Sequence, residues 1–136
     1  MEKSLLKYFT LLIILLVQLV FSKEKWNFKA DEQIEQTKVN DESVLILTKN
    51  VHFFRDSLSL YTNKALHYVD KDILHLQGNT MMVDGIDTLT CDTMIFWMDT
   101  DSIYATGHIN LIQANRSLTS SKINYWKGNG YYGSSF

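Results

Sequence analysis

From residue 44 onward the chain alternates apolar and polar positions. In VLILTKNVHFF (44–54), residues 45, 47, 51 and 53 are apolar, whereas 48, 50 and 52 are Thr, Asn and His. A period of two is the mark of a strand with one buried face. The phrase returns 29 residues later with apolar residues at 74, 76 and 82, and again with apolar residues at 103, 105, 109 and 111. No insertion or deletion interrupts the shift. Leu45, Leu74 and Ile103 coincide, as do Leu47, Leu76 and Ala105; Val51, Thr80 and Ile109; and Phe53, Met82 and Leu111. The second half of each unit aligns through Leu60, Leu89 and Leu118, through Ala65, Met94 and Ile123, and through His67, Phe96 and Tyr125. Self-similarity at a fixed period of this size indicates a stack of supersecondary units.

Each unit predicts two strands. The first carries Lys49, Gly78 or Gly107 in the middle of the inward face, followed by Asn50, Asn79 or His108. Glycine in mid-strand marks a bulge or a tight bend. The second strand begins with apolar residues on one parity, Leu58 and Leu60, and continues on the other, Ala65 and His67. That change needs a kink, expected at Asn63, Asp92 and Ser121, residue types that bend a backbone by bonding to it. Short polar connections such as Arg55-Asp56-Ser57 and Asp84-Gly85 join antiparallel neighbours and leave no room for crossover helices. Trp26–Gln36 reads as the second half of a preceding unit, with Phe28 and Ala30 matching Leu60 and Thr62, and a fourth unit starts at Tyr132. The expected fold class is all-β, antiparallel and repetitive.

The N-terminus departs from this pattern. Lys3 and Lys7 precede an apolar core, Tyr8–Phe21, and Val20-Phe21-Ser22 supplies cleavage positions, the form of an export signal. A spanning helix needs roughly 20 apolar residues, so the core is short for an anchor. The chain is expected to divide into a signal peptide at 1–22 (or a retained inner-membrane anchor) and a β-repeat domain at 23–136. No cysteine follows the apolar core, so a lipoprotein signal is excluded. The working location is then outside the cytoplasm.

Composition narrows the chemistry. With 21% charged residues and net charge −2, the chain has no electrostatic footprint for nucleic acid. Its single cysteine, Cys91, permits no internal disulfide and aligns with Thr62 and Ser120 as small inward filler. His52, His75 and His108 fall on the outward parity and His67 on the inward one, without metal-ligand spacing. Asp84, Asp87, Asp99 and Asp101 sit at turns, without the ligand ladder of a calcium loop. Nothing assembles an acid, a base and a nucleophile. A non-enzymatic protein without metal or cofactor is expected.

The repeated phrase, apolar-x-apolar-x-Gly-Asn followed after a turn by apolar-x-apolar-x-Ala-Asp, resembles the OstA-like family. This family includes periplasmic lipopolysaccharide-transport bridge proteins and the N-terminal domain of the outer-membrane translocon. Leu74–Asn79 and Ala30-Asp31 carry the match, with Cys91-Asp92 and Thr62-Asn63 as looser copies, over about residues 26–130. Lys49, His108, Asn63 and Ser121 depart from the pattern without shifting the register. The resemblance implies an open, V-shaped jelly-roll whose two walls enclose a groove for lipopolysaccharide acyl chains. On that reading the lining is Leu45, Leu47, Val51, Phe53, Leu60, Ala65, Leu74, Leu76, Met82, Leu89, Met94, Phe96, Ile103, Ala105, Ile109, Leu111, Leu118, Ile123 and Tyr125. The implied partners are lipopolysaccharide or a similar acylated lipid, and other OstA-like domains joined edge to edge; nucleic acid is not among them. Two alternatives stay open: a structural β-repeat module with a self-filled core, and the N-terminal fragment of a longer translocon.

Overall fold

The alternating segments fold as strands that pair with their neighbours in the chain. The computed structural model describes residues 2–21, 25–126 and 130–134, with side chains described at 3–14, 25–34 and 37–124. The strands are β1 (Asn27–Lys29), β2 (Glu32–Val39), β3 (Glu42–Arg55), β4 (Leu58–Tyr68), β5 (Ile73–Asp84), β6 (Asp87–Trp97), β7 (Ser102–Gln113), β8 (Arg116–Trp126) and β9 (Gly130–Ser134). All pairings are antiparallel, in the order β1-β3-β4-β5-β6-β7-β8-β9, with β2 also pairing β3. A helix, α1 (Glu2–Phe21), precedes them with Leu5, Leu6, Tyr8 and Phe9 exposed. Among the described residues no helix is long and apolar enough to cross a membrane. The expected cleavage position at Ser22 lies outside the described residues.

One line of irregularity crosses the sheet. Register shifts fall between Thr48 and Val51, Tyr61 and Lys64, Gln77 and Thr80, Thr90 and Thr93, and Thr106 and Ile109. Within β3, β5 and β7, two consecutive residues have positive φ at this line: Lys49 and Asn50, Gly78 and Asn79, Gly107 and His108. Such bulges bend a strand and re-aim its side chains. The line therefore creases the sheet, and β3 to β8 each run through both resulting walls. Wall one carries residues 42–48, 64–68, 73–77, 93–97 and 102–106. Wall two carries 51–55, 58–62, 80–84, 87–91 and 109–113. β2 extends wall one and β1 extends wall two, as expected for half of a preceding unit.

The crease corrects one expectation. Lys49 does not face inward. Its left-handed φ of 62° turns the side chain out, where Nζ pairs with Glu32 Oε1 at 2.6 Å. The kink in the alternate strands lies at Asn63 and Asp92 as the parity change required. Leu58, Leu60 and Thr62 point inward before the kink in β4, and Ala65 after it.

Candidate functional site

The inner faces of the two walls meet in one apolar cluster. Leu47, Val51, Phe53, Leu60, Ala65, Leu74, Leu76 and Met82 belong to it, with Leu89, Met94, Phe96, Ile103, Ala105, Ile109, Leu111 and Ile123, each no more than 2% exposed. Leu45 is half-buried against them. Leu118 differs at 44% exposed. It stands in wall two, where no further strand among the described residues covers it, since β9 pairs with residues 122–126 of β8. The side chain of Tyr125 lies outside those described.

Leu58 and Cys91, both read as inward from the sequence, join the cluster, and Ala30 packs against it. The sequence reading missed Met98, which also joins, and Trp26, which packs against it. The Trp26 ring meets Phe96 edge-on at 5.3 Å, which ties the lead into β1 to wall one. Phe53 and His67 make a second contact across the walls, edge to face at 6.4 Å. Met98 sits in a connection, so no period-2 pattern marked it. Two polar residues inside, Thr62 and Thr80, bond each other at 3.0 Å, and Thr62 also donates to the Gln77 carbonyl at 3.1 Å. These bonds satisfy groups that burial would otherwise penalise.

Outside the crease runs a row of polar pairs. Asn50 Nδ2 donates to Asp31 Oδ2 at 2.7 Å, the Asp31 N–H donates to the Lys49 carbonyl at 2.9 Å, and His108 Nδ1 bonds Asp92 Oδ2 at 2.7 Å. Asp92 raises the His108 pKa through that bond and through its charge. Burial lowers the pKa of His67 and His75, and lowers that of His52 with help from Lys29. Burial, reinforced by Asp92, pushes the Cys91 thiol up to about 12, which leaves it protonated and without nucleophilic character.

The inward positions thus carry no formal charge until the rims, among the described residues. There Arg55, at the end of β3 in wall two, pairs with Asp101, in the turn ahead of β7 at the rim of wall one. The side chains are 8% and 4% exposed, and Trp26 lies 4.6 Å over the guanidinium. Repeat alignment held a faint signal of this pair: Arg55 occupies the column of Asp84 and Gln113, the one cation in it. What the arrangement offers chemically is an apolar slab between two hinged walls, with a polar crease behind and an ion pair in front.

A family model for OstA-like protein matches residues 23–134. Among curated proteins no sequence matches. Among solved structures, the chain is similar to LptH from Pseudomonas aeruginosa, described as the LptA-homologous periplasmic component of the conserved lipopolysaccharide transport device. The TM-score is 0.72 at 13% identity, covering 83% of this chain and 84% of that one. That likeness gives the fold, and the family match spans most of the chain: this protein belongs to the OstA-like family.

Proposed function

We propose that this chain is a non-catalytic periplasmic carrier that takes lipopolysaccharide acyl chains between its two walls and passes them to a similar domain. The observation that carries the reading is the uncharged inner face, continuous through every repeat of an OstA-like chain. Family membership and the likeness to LptH support the substrate class. Each methylene removed from water is worth about 0.8 kcal/mol, so an acyl chain of about a dozen carbons gains roughly 10 kcal/mol gross. Release to water is then slow, and transfer runs from one apolar interior to the next. Open sheet edges suit that requirement: β1 and β2 leave Phe28, Ile34 and Val39 exposed, and an unpaired edge accepts another strand. A donor and an acceptor domain at the two edges would set the path, and the energy for direction would come from a partner.

A second reading has its own observation. The lining side chains bury one another to 2% exposure or less, which favours a structural module with a self-filled core. One experiment separates the two. A photoreactive phenylalanine replaces Phe53 or Phe96 inside, or Tyr61 on the outer face, and the purified chain is irradiated with lipopolysaccharide. The carrier yields lipid adducts at 53 and 96 and none at 61. A protein that forms no interior adduct while keeping its β-sheet circular dichroism is the self-filled module.

A further inference from the structure

If the interior takes an acyl chain, the walls must part somewhere, and the rim contacts decide where. We propose that Arg55, Asp101 and Trp26 form a clasp that holds the two rims together and opens to admit an acyl chain sideways between the walls. The proposal rests on the carrier reading above.

The clasp joins parts of the sheet far apart in sequence. Arg55 leads into the two-residue hairpin of wall two, and Asp101 ends the connection on wall one, 46 residues later. Trp26 stacks on the guanidinium with one face of its environment and touches Phe96 of wall one with another. The three residues therefore span the mouth of the fold, opposite the crease.

An ion pair is a poor choice for permanent closure. Apolar residues of equal volume would seal the same gap as well or better, because burying two charges offsets most of their attraction. For a closure that must open, the balance reverses. Parting an apolar seam exposes greasy surface to water, whereas parting Arg55 from Asp101 returns both ions to hydration. The Trp26 indole N–H adds to this. It is buried without an acceptor among the described residues, so water entering an open mouth would satisfy it. The rim parts at one ion pair and one ring contact, Trp26 on Phe96, and the slab behind it is apolar where the guest must lie.

The test locks the mouth reversibly. In a Cys91→Ser background, Arg55→Cys and Asp101→Cys are bridged by a bis-methanethiosulfonate spacer that a reductant removes. Uptake of a dansyl-labelled fatty acid is followed by stopped-flow fluorescence, with circular dichroism confirming the fold in both states. The bridged protein should take up the probe roughly ten-fold more slowly than the same molecule after reduction, a factor equal to about 1.4 kcal/mol of barrier. Asp101→Asn in the otherwise native chain should take it up faster than the parent. Equal rates for bridged and reduced protein overturn the clasp, and the chain then enters by the sheet ends. Should the native chain itself fail to bind the probe, the carrier reading falls and takes the clasp with it. The native chain therefore reports on the carrier reading, and the bridged pair reports on the clasp.

Discussion

Replacing Gly107 by alanine tests the crease, because that substitution meets two obstacles that can be separated. Gly107 has φ +80°, in the left-handed region, where an L side chain loses about 1–2 kcal/mol. A Cβ there would also stand 2.9 Å from both Cβ and Cγ of Asp92, closer than real Cβ atoms approach. Rotation of the Asp92 side chain cannot relieve this, since its Cβ is fixed to the backbone; it would also give up the carboxylate's bond to His108 at 2.7 Å. Forcing such a contact adds about 1–3 kcal/mol by the usual penalty for overpacking. Gly85 supplies the control. Its φ is +61° with nothing within 4 Å of the added Cβ, so Gly85→Ala carries the backbone penalty alone. The expected losses are therefore about 2–5 kcal/mol for Gly107→Ala and about 1–2 kcal/mol for Gly85→Ala. Urea unfolding followed by tryptophan fluorescence measures both. With a slope of about 1–3 kcal/mol per molar urea, the two midpoints should differ by roughly 1 M. Adding Asp92→Gly, which removes the opposing Cβ as well as the carboxylate, to Gly107→Ala should restore the steric part and leave the backbone part, which a double-mutant cycle reports as coupling. If Gly107→Ala costs no more than Gly85→Ala, β7 at Gly107 does not approach Asp92 of β6 closely at the crease.

Other consequences are open to measurement. Leu60→Ala removes a fully buried side chain and should cost about 2–5 kcal/mol, whereas Leu118→Ala, in the same repeat column but 44% exposed, should cost under about 1 kcal/mol; equal losses in urea titrations would contradict the burial difference. Cys91, with its thiol pushed up to about 12, should resist iodoacetamide in the folded protein near neutral pH and react after unfolding, with mass spectrometry as the readout. Modification of folded protein at the rate of a free thiol would refute its burial. His67 is held below its ordinary pKa by burial, so the unfolded chain takes up a proton at that residue first and stability falls as pH drops through about 6.5. His52 and His75 act in the same sense, while His108, raised by Asp92, contributes stability at low pH that is lost as pH rises. His67→Phe, which installs the residue found at position 96, should flatten the acid decline in urea midpoints; an unchanged slope would remove His67 from the account.

Much of this was legible in the order of residues. The 29-residue shift and the period-2 alternation specified antiparallel strands, and parity assigned the buried face of both walls almost throughout. The parity change at Asn63 and Asp92 marked the kink, because a strand cannot move its apolar set to the other side without one. Lys49 was misplaced for the same reason. Alternation counts residues as if each advanced the pleat equally, and two successive left-handed residues do not. Leu118 kept its parity but lost its cover, since parity sets the direction of a side chain and neighbouring strands set its burial.

The repeat by itself determined the strands, their antiparallel order and which residues are apolar on the inner face, because these depend on local periodicity and short connections. How the creased walls meet was decided by the tertiary structure. Contacts such as Phe53 with His67, Trp26 with Phe96, and Arg55 with Asp101 join residues of opposite walls that the pairing register does not set beside each other. Closure of the mouth depends on the angle at the bulges and the twist accumulated across the sheet, and these bring distant turns together in space.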